Sequence, residues 1–300
     1  MTDTPAFGAP ASGRQFIKMH GLENHFVIVD GRADRWRPGT DEIVHICNPK
    51  TGVGGDQLII VEPPTEAGFE AGAVAFMRIL NVDGREVEAC GNATRCVAWL
   101  LLEEIDSDEL IVETLAGLID CRRTGDREVA CTMGKVSMDW QQVPLSREAD
   151  TCHVDLDAGP LADGVALNIG NPHIVFFVDN VDAVDLESHA PAIQKNELFP
   201  DEVNVGIATL VADDHLRSTV YERGAGLTTA CGSGACVAAY AALARGLTDK
   251  REIRVSMPAG DVTIAIGEDG VATMTGPVAY SYTGYQIMTE DEKPRQKSCR

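Results

Sequence analysis

What this sequence lacks narrows its function first. No run of about 18 apolar residues occurs, which excludes an ordinary membrane-spanning helix. The opening residues, MTDTPAFGAPASGRQ, lack the apolar core of a secretory leader. Basic residues are few: 25 Lys and Arg stand against 46 Asp and Glu, a net charge of −21. So acidic a surface repels phosphate backbones and anionic lipid, and neither nucleic acid nor membrane is an expected partner. No two cysteines stand in CxxC spacing, so metal binding by Cys90 with Cys96, or by Cys231 with Cys236, is not expected. The run from Gly224 to Thr229 begins like a dinucleotide-binding loop but lacks its third glycine. The nine cysteines are odd in number and follow no leader, so thiols in the cytoplasm are expected rather than a disulfide framework.

What is present is duplicated. Ala89-Cys90-Gly91-Asn92 returns as Ala230-Cys231-Gly232-Ser233, 141 residues on. Nine residues before Cys90 stands Asn81, and nine before Cys231 stands Glu222, each after a short apolar, strand-like run. Upstream, Asn24 in NHFVIVD pairs with Asn171 in NPHIVFFVD, and Gln57 in QLIIV with Asn204 in NVGIATLV, both 147 residues apart. Four such matches in the same order argue for two related halves. β-Branched runs separated by Gly, Asp and Pro recur in each half. Each half also has one strongly helical stretch, 92–105 and 233–245, apolar nearly all round and therefore buried on most faces. Gly246 stops the second.

This pattern predicts an α/β (α+β) chain of two pseudo-symmetric domains, each a curved, mostly antiparallel sheet wrapped around a central helix. The expected boundaries are 15–134 plus 277–290 for the half carrying Cys90 and 135–276 for the half carrying Cys231. Residues 1–14 and 291–300 are expected to be disordered tails.

Cys-Gly at a helix start carries chemistry. The first N–H groups of a helix have no internal partners and bear partial positive charge. A thiol there is expected to have a lowered pKa, and an anion can bind beside it. Gly91, Gly232 and Gly234 allow backbone to approach a ligand closely. Were the two helix starts to face one carboxylate, one thiolate could remove an α-proton while the other thiol protonates the opposite face. The helix N–H groups would then stabilise the developing charge, and no cofactor would be needed. A lone Cys before a helix is usually just packed; its recurrence in both halves favours the chemical reading. Cys96 and Cys236, deeper in each helix, are expected to be structural.

The segments MHGLENHFVIVD, TGVGGDQ, NVDGREVEACGNATRC, GNPH, VNVGI and ERGAGLTTACGSGAC resemble diaminopimelate epimerase in order and spacing, over residues 15–288. The resemblance implies a cofactor-independent isomerase, without pyridoxal phosphate or metal, interconverting LL- and meso-diaminopimelate toward lysine and peptidoglycan. A homodimer is implied as well. Cys90 and Cys231 match the catalytic pair. Gly91, Asn92, Gly232 and Ser233 match the groups that hold the reacting carboxylate, and Asn24, Gln57, Asn81, Asn171, Asn204, Glu222 and Arg223 match the polar pocket. Arg223 can fork onto the distal carboxylate and Glu222 can meet the distal ammonium. His173 either shapes the pocket, assists a cysteine or is a satisfied structural histidine. The sequence departs from the pattern at Glu23, usually Gly, at His25, usually Asp, and at Leu227, usually Glu. Rival readings are a proline racemase or hydroxyproline epimerase, a non-catalytic carboxylate-binding protein, and a thiol redox protein.

Overall fold

The expected strands and helices can be followed one by one in the structure, a computed structural model that describes residues 13–156 and 159–286. The chain forms two compact units, Met1–Leu118 with Val278–Arg300, and Ile119–Pro277. Of the tails expected to be disordered, residues 1–12 and 291–300 lie outside the described residues, as do 287–290 of the first expected domain. Arg14 instead opens a strand.

In the first unit the chain runs β1 (Arg14–Gly21), β2 (Asn24–Asp30), α1 (Thr40–Cys47), β3 (Gln57–Glu62), α2 (Glu66–Glu70), β4 (Ala73–Asn81), β5 (Glu86–Val87), α3 (Gly91–Ile105) and β6 (Glu109–Thr114). β1 pairs antiparallel with β2, and β2 parallel with β3. β4 is antiparallel to β3 and β5 and parallel to β6. The neighbouring β2 and β3 read FVIV and LIIV at their centres, and all eight of these residues are buried, as expected of strands covered on both faces. α3 packs on β1, β2 and β6. It ends at Asp106, whose left-handed φ of 49° lets its N–H close on the Leu102 carbonyl.

The second unit holds β7 (Gly117–Gly125) from Ile119 onward, β8 (Glu128–Lys135), β9 (Val154–Asp155), β10 (Asp163–Asn168), β11 (Pro172–Phe177), one 3-10 turn (Val181–Ala183) and α4 (Leu186–Gln194). Then come β12 (Asn204–Ala212), β13 (His215–Glu222), β14 (Gly226–Thr228), α5 (Gly232–Ala244), β15 (Glu252–Met257), β16 (Gly260–Ile266) and β17 (Val271–Pro277). The pairing of the first unit recurs: β10 antiparallel to β11, β11 parallel to β12, β13 antiparallel to β12 and β14, and β13 parallel to β15. α5 packs against β10, β11, β12, β13, β15, β16 and β17. Its apolar character all round is thereby explained: strands surround it, and eight of its residues are buried. A core of Leu161, Ile174, Phe176, Val205 and Ile207 packs with Leu186, Ala190 and Ile193 of α4. The last strand, β18 (Ala279–Gln286), returns to the first unit and pairs antiparallel with β1.

The boundary differs from the expected one. It falls between Leu118 and Ile119, not after Gly134. The reason is register: β8 pairs antiparallel with β17 from Lys135 opposite Val271 to Glu128 opposite Pro277, and β7 pairs with β8. The β7–β8 hairpin precedes the second repeat in sequence but extends its sheet. No helix among the described residues is long and apolar enough to cross a membrane.

Candidate active site

In the first unit, Asn24 stands beside the start of α3, while Gln57 and Asn81 pair with each other at the ends of β3 and β4. Asn24 opens β2, Gln57 opens β3 and Asn81 closes β4, where register places Gln57 opposite Asn81. Gln57 Nε2 donates to Asn81 Oδ1 at 2.9 Å. Cys90 is the N-cap of α3, with extended backbone (φ −150°, ψ 106°), and its carbonyl accepts from both the N–H and the hydroxyl of Thr94. Its Sγ lies 3.7 Å from Asn24 Oδ1. Asn92, buried in the first turn, donates through Nδ2 to the same oxygen at 3.4 Å. Arg95 Nη2 in turn donates to Asn92 Oδ1 at 2.9 Å, from a fully buried guanidinium. Gly21 makes room for this arrangement, because a Cβ there would come within 3.2 Å of Arg95 Nη2 and 3.3 Å of the Asn92 carbonyl.

The second unit builds the matching site with different side chains. Cys231, again an extended N-cap (φ −129°, ψ 107°), is buried, and its Sγ accepts from the Gly234 N–H at 3.4 Å. Ser233 Oγ lies 3.5 Å from that sulfur. Ser233 is held by His173 Nε2 at 3.1 Å and by Asn171 Nδ2 at 3.4 Å. His173 is fully buried on β11, opposite Asn204 of β12 in parallel register, and its Nε2 also meets Asn171 Oδ1 at 3.1 Å. Asn204 Nδ2 donates to the Pro172 carbonyl and Asn204 Oδ1 accepts from the Arg223 N–H. Arg223 Nη1 donates to the Asp201 carbonyl at 2.8 Å, and Glu222 Oε1 accepts from the Thr228 hydroxyl at 2.6 Å. Thus Asn92 in one unit and Ser233 in the other occupy the same repeat position, one pinned by buried Arg95 and the other by buried His173.

Electrostatics corrects one expectation. The helix start was expected to lower a cysteine pKa, but the Cys231 thiol is pushed up. Burial is the main cause and the negative charge of Glu222 adds to it; the Ser233 and Gly234 hydrogen bonds oppose both and lose. Unliganded Cys231 therefore rests as a thiol. His173 is held down at about 3, first by burial and then by the Arg223 charge, so it is neutral at ordinary pH. A neutral imidazole suits a hydrogen-bonding support for Ser233. Cys96 and Cys236 are fully buried in the helix interiors. The glycines of the second helix start serve packing directly: a Cβ on Gly234 would meet Val220 Cγ2 at 2.6 Å, and one on Gly232 would meet Met274 Cε at 3.0 Å.

Each unit therefore presents a sulfur at a helix start, Cys90 beside the Asn24 amide and Cys231 beside Ser233. A family model described as diaminopimelate epimerase matches residues 16–139 and 165–281. The chain belongs to the diaminopimelate epimerase family. The family member from Rhodospirillum centenum is 46% identical over 271 residues, covering 90% of this chain and 91% of that protein. The one from Acidiphilium cryptum is 42% identical over 274 residues, covering 91% and 96%. Solved structures share the fold at low identity. A phenazine biosynthesis protein of the PhzF family from Bacillus anthracis aligns with a TM-score of 0.65 at 17% identity, covering 92% of this chain and 100% of that one. A probable proline racemase from Agrobacterium radiobacter K84 aligns with a TM-score of 0.65 at 15% identity, covering 94% of each.

Against the diaminopimelate epimerase pattern, the three sequence departures now have positions. Glu23 adopts φ 61° and Leu22 φ 53°, the left-handed region that the usual Gly at position 23 would occupy without strain. His25 gives its backbone N–H to Asp56 Oδ2, and its ring lies 5.2 Å from that of His20. Leu227 lies exposed on β14, opposite Tyr221. The sequence reading missed Asp56, Arg95 and Thr228. Asp56 adjoins Gln57 and could have been noticed there; Arg95 and Thr228 offered no signal, since nothing in their spacing shows what they touch.

Proposed function

We propose that this chain interconverts LL- and meso-diaminopimelate through a two-base reaction in which Cys90 and Cys231 exchange the α-proton, with neither pyridoxal phosphate nor metal. The observation that carries the reading is the cysteine at the start of a buried helix in each unit, Cys90 beside the Asn24 amide and Cys231 beside the Ser233 hydroxyl, itself bonded by Asn171. In this scheme one sulfur, as thiolate, takes the α-proton while the other, as thiol, delivers one to the opposite face. The N–H groups following Cys90 and Cys231, at Gly91, Asn92, Gly232 and Ser233, would hold the reacting carboxylate as its negative charge grows. Arg223 and Glu222 would pair with the distal carboxylate and ammonium, with Asn24, Gln57, Asn81, Asn171 and Asn204 completing the polar pocket. A substrate without the distal end leaves these groups unpaired and is rejected. The proposed setting is the cytoplasm, as a homodimer, within lysine and peptidoglycan-precursor synthesis.

The test is incubation with LL-diaminopimelate in heavy water without added cofactor, following deuterium at the α-carbons. Incorporation at one α-carbon is expected, and Cys90→Ala and Cys231→Ala are each expected to lose at least about 100-fold in rate, the scale of a positioned general acid or base. A near-normal rate in either variant removes that cysteine from the mechanism. Turnover of proline in place of diaminopimelate would move the chain to the racemase reading.

A further inference from the structure

The polar side chains next to Cys90 form a chain of hydrogen bonds with a single direction. Arg95 Nη2 donates to Asn92 Oδ1 (2.9 Å), Asn92 Nδ2 donates to Asn24 Oδ1 (3.4 Å), and Asn24 Nδ2 donates to Asp56 Oδ2 (3.0 Å). A guanidinium that can only donate stands at one end and a carboxylate that only accepts at the other. Two primary amides lie between them, and each could in principle be turned over. The terminal charges remove that freedom. Turning Asn24 would set its oxygen against the Asp56 carboxylate, and turning Asn92 would set its NH2 against the Arg95 guanidinium. Asp56 Oδ2 also accepts the His25 N–H at 2.7 Å, which fixes the carboxylate against β2. The consequence falls on the sulfur: Asn24 presents its carbonyl oxygen, not its NH2, to Cys90 Sγ at 3.7 Å. An oxygen there accepts from a thiol and disfavours a thiolate; an NH2 group would do the reverse. The second unit has no such relay at the equivalent place, since Val203 stands at the repeat position of Asp56.

We infer that Asp56 is a positioning residue which, through the amide orientation of Asn24, presents a hydrogen-bond acceptor to Cys90 and favours the thiol form of that sulfur, the proton donor in one direction of the reaction. The inference rests on the reading of Cys90 as catalytic. Arg95 plays the matching part from the buried end but is a poor probe, because removing a fully buried guanidinium threatens the fold. Asp56 is exposed, so its replacement opens no cavity in the core.

The experiment is a double-mutant cycle between positions 24 and 56, read in two ways: kcat for epimerisation, and the rate of Cys90 alkylation by iodoacetamide at neutral pH, followed by peptide mass spectrometry. Asp56→Ala is expected to lower kcat about tenfold and raise Cys90 alkylation about threefold, while Asp56→Asn, which keeps an acceptor, stays within about 1.5-fold of the parent on both. In an Asn24→Ala background, Asp56→Ala is expected to change either quantity by less than about twofold. The exchanged pair Asn24→Asp with Asp56→Asn is expected to recover most of what Asn24→Asp alone loses. Equal effects of Asp56→Ala in both backgrounds, or parental kcat and alkylation in Asp56→Ala, would overturn the inference. The alkylation arm needs no turnover, so it decides the role of Asp56 even where the epimerase reading fails.

Discussion

At the scale of single residues, the two sites solve one problem with unlike groups, and their environments make different demands on pH. His173 is the clearest case. Its pKa of about 3 in the folded chain lies below the ordinary 6.5, because charging it would bury an imidazolium beside Arg223. Between those two values the unfolded chain binds a proton that the folded chain refuses. Stability therefore falls as pH drops through 6.5 and continues to fall toward 3. From pH 7 to 4.5 this group should remove roughly 2 kcal/mol. The repeat offers a control, since Phe26 occupies the matching position in β2 and is fully buried. His173→Phe is expected to weaken the protein at pH 7 by stranding Ser233, yet to lose about 2 kcal/mol less than the parent between pH 7 and 4.5 in urea unfolding. Equal losses in the two proteins would mean that folding does not displace the His173 pKa. The candidate site positions were legible because Cys and amide residues recur at fixed offsets. Their electrostatics was not: the rise in the Cys231 pKa depends on burial and on Glu222, neither of which is visible in a Cys-Gly pair.

At the scale of elements, the helices that carry the cysteines were nearly legible to the residue. The expected 92–105 and 233–245 compare with Gly91–Ile105 and Gly232–Ala244. Long apolar runs bounded by Gly and a polar end leave little freedom. The two-residue β5 and three-residue β14 were not legible, because each is set by pairing with a longer neighbour and has no periodicity of its own. α4 is hidden by Pro191 inside it. Glycine in the first turn of α5 read as room for a ligand, whereas the structure gives Gly234 a packing duty as well. A methyl group there would lie 2.6 Å from Val220 Cγ2 and 3.2 Å from Cys231 Sγ, and a β-branched valine on a strand has little freedom to retreat. Gly234→Ala is accordingly expected to destabilise the protein by about 1–3 kcal/mol, despite the better helix propensity of alanine. Adding Val220→Ala should return part of that loss, because it removes the obstructing methyl. Denaturant unfolding of the two single variants and the double variant measures the coupling. Strict additivity would show that the helix start shifts freely and that the contact with Val220 does not constrain it.

At the scale of the whole molecule, the duplication was legible and its seam was not. Each repeat has a sheet whose order follows the repeat, but the β7–β8 hairpin, which comes before the second repeat in sequence, continues the second unit's sheet through β17. A division drawn from repeat spacing cuts this sheet after Gly134 and strips β17 of its outer neighbour. The difference can be tested with fragments. Residues 119–277 retain the β8–β17 ladder and bury Ala130 and Cys131 beside Met274, all at or below 4% exposure. Residues 135–276 lose that ladder and present the β17 edge with its backbone groups unpaired, a surface that invites association. The longer fragment is expected to unfold in one cooperative transition with strand-rich circular dichroism, and the shorter one to aggregate or melt without a clear midpoint. Matching cooperative unfolding in both would mean that the hairpin is dispensable to the second unit and that the seam belongs near residue 134. A cooperative 119–277 fragment beside a failing 135–276 fragment would show that a strand arriving ahead of its own repeat completes the sheet around α5, the helix that presents Cys231.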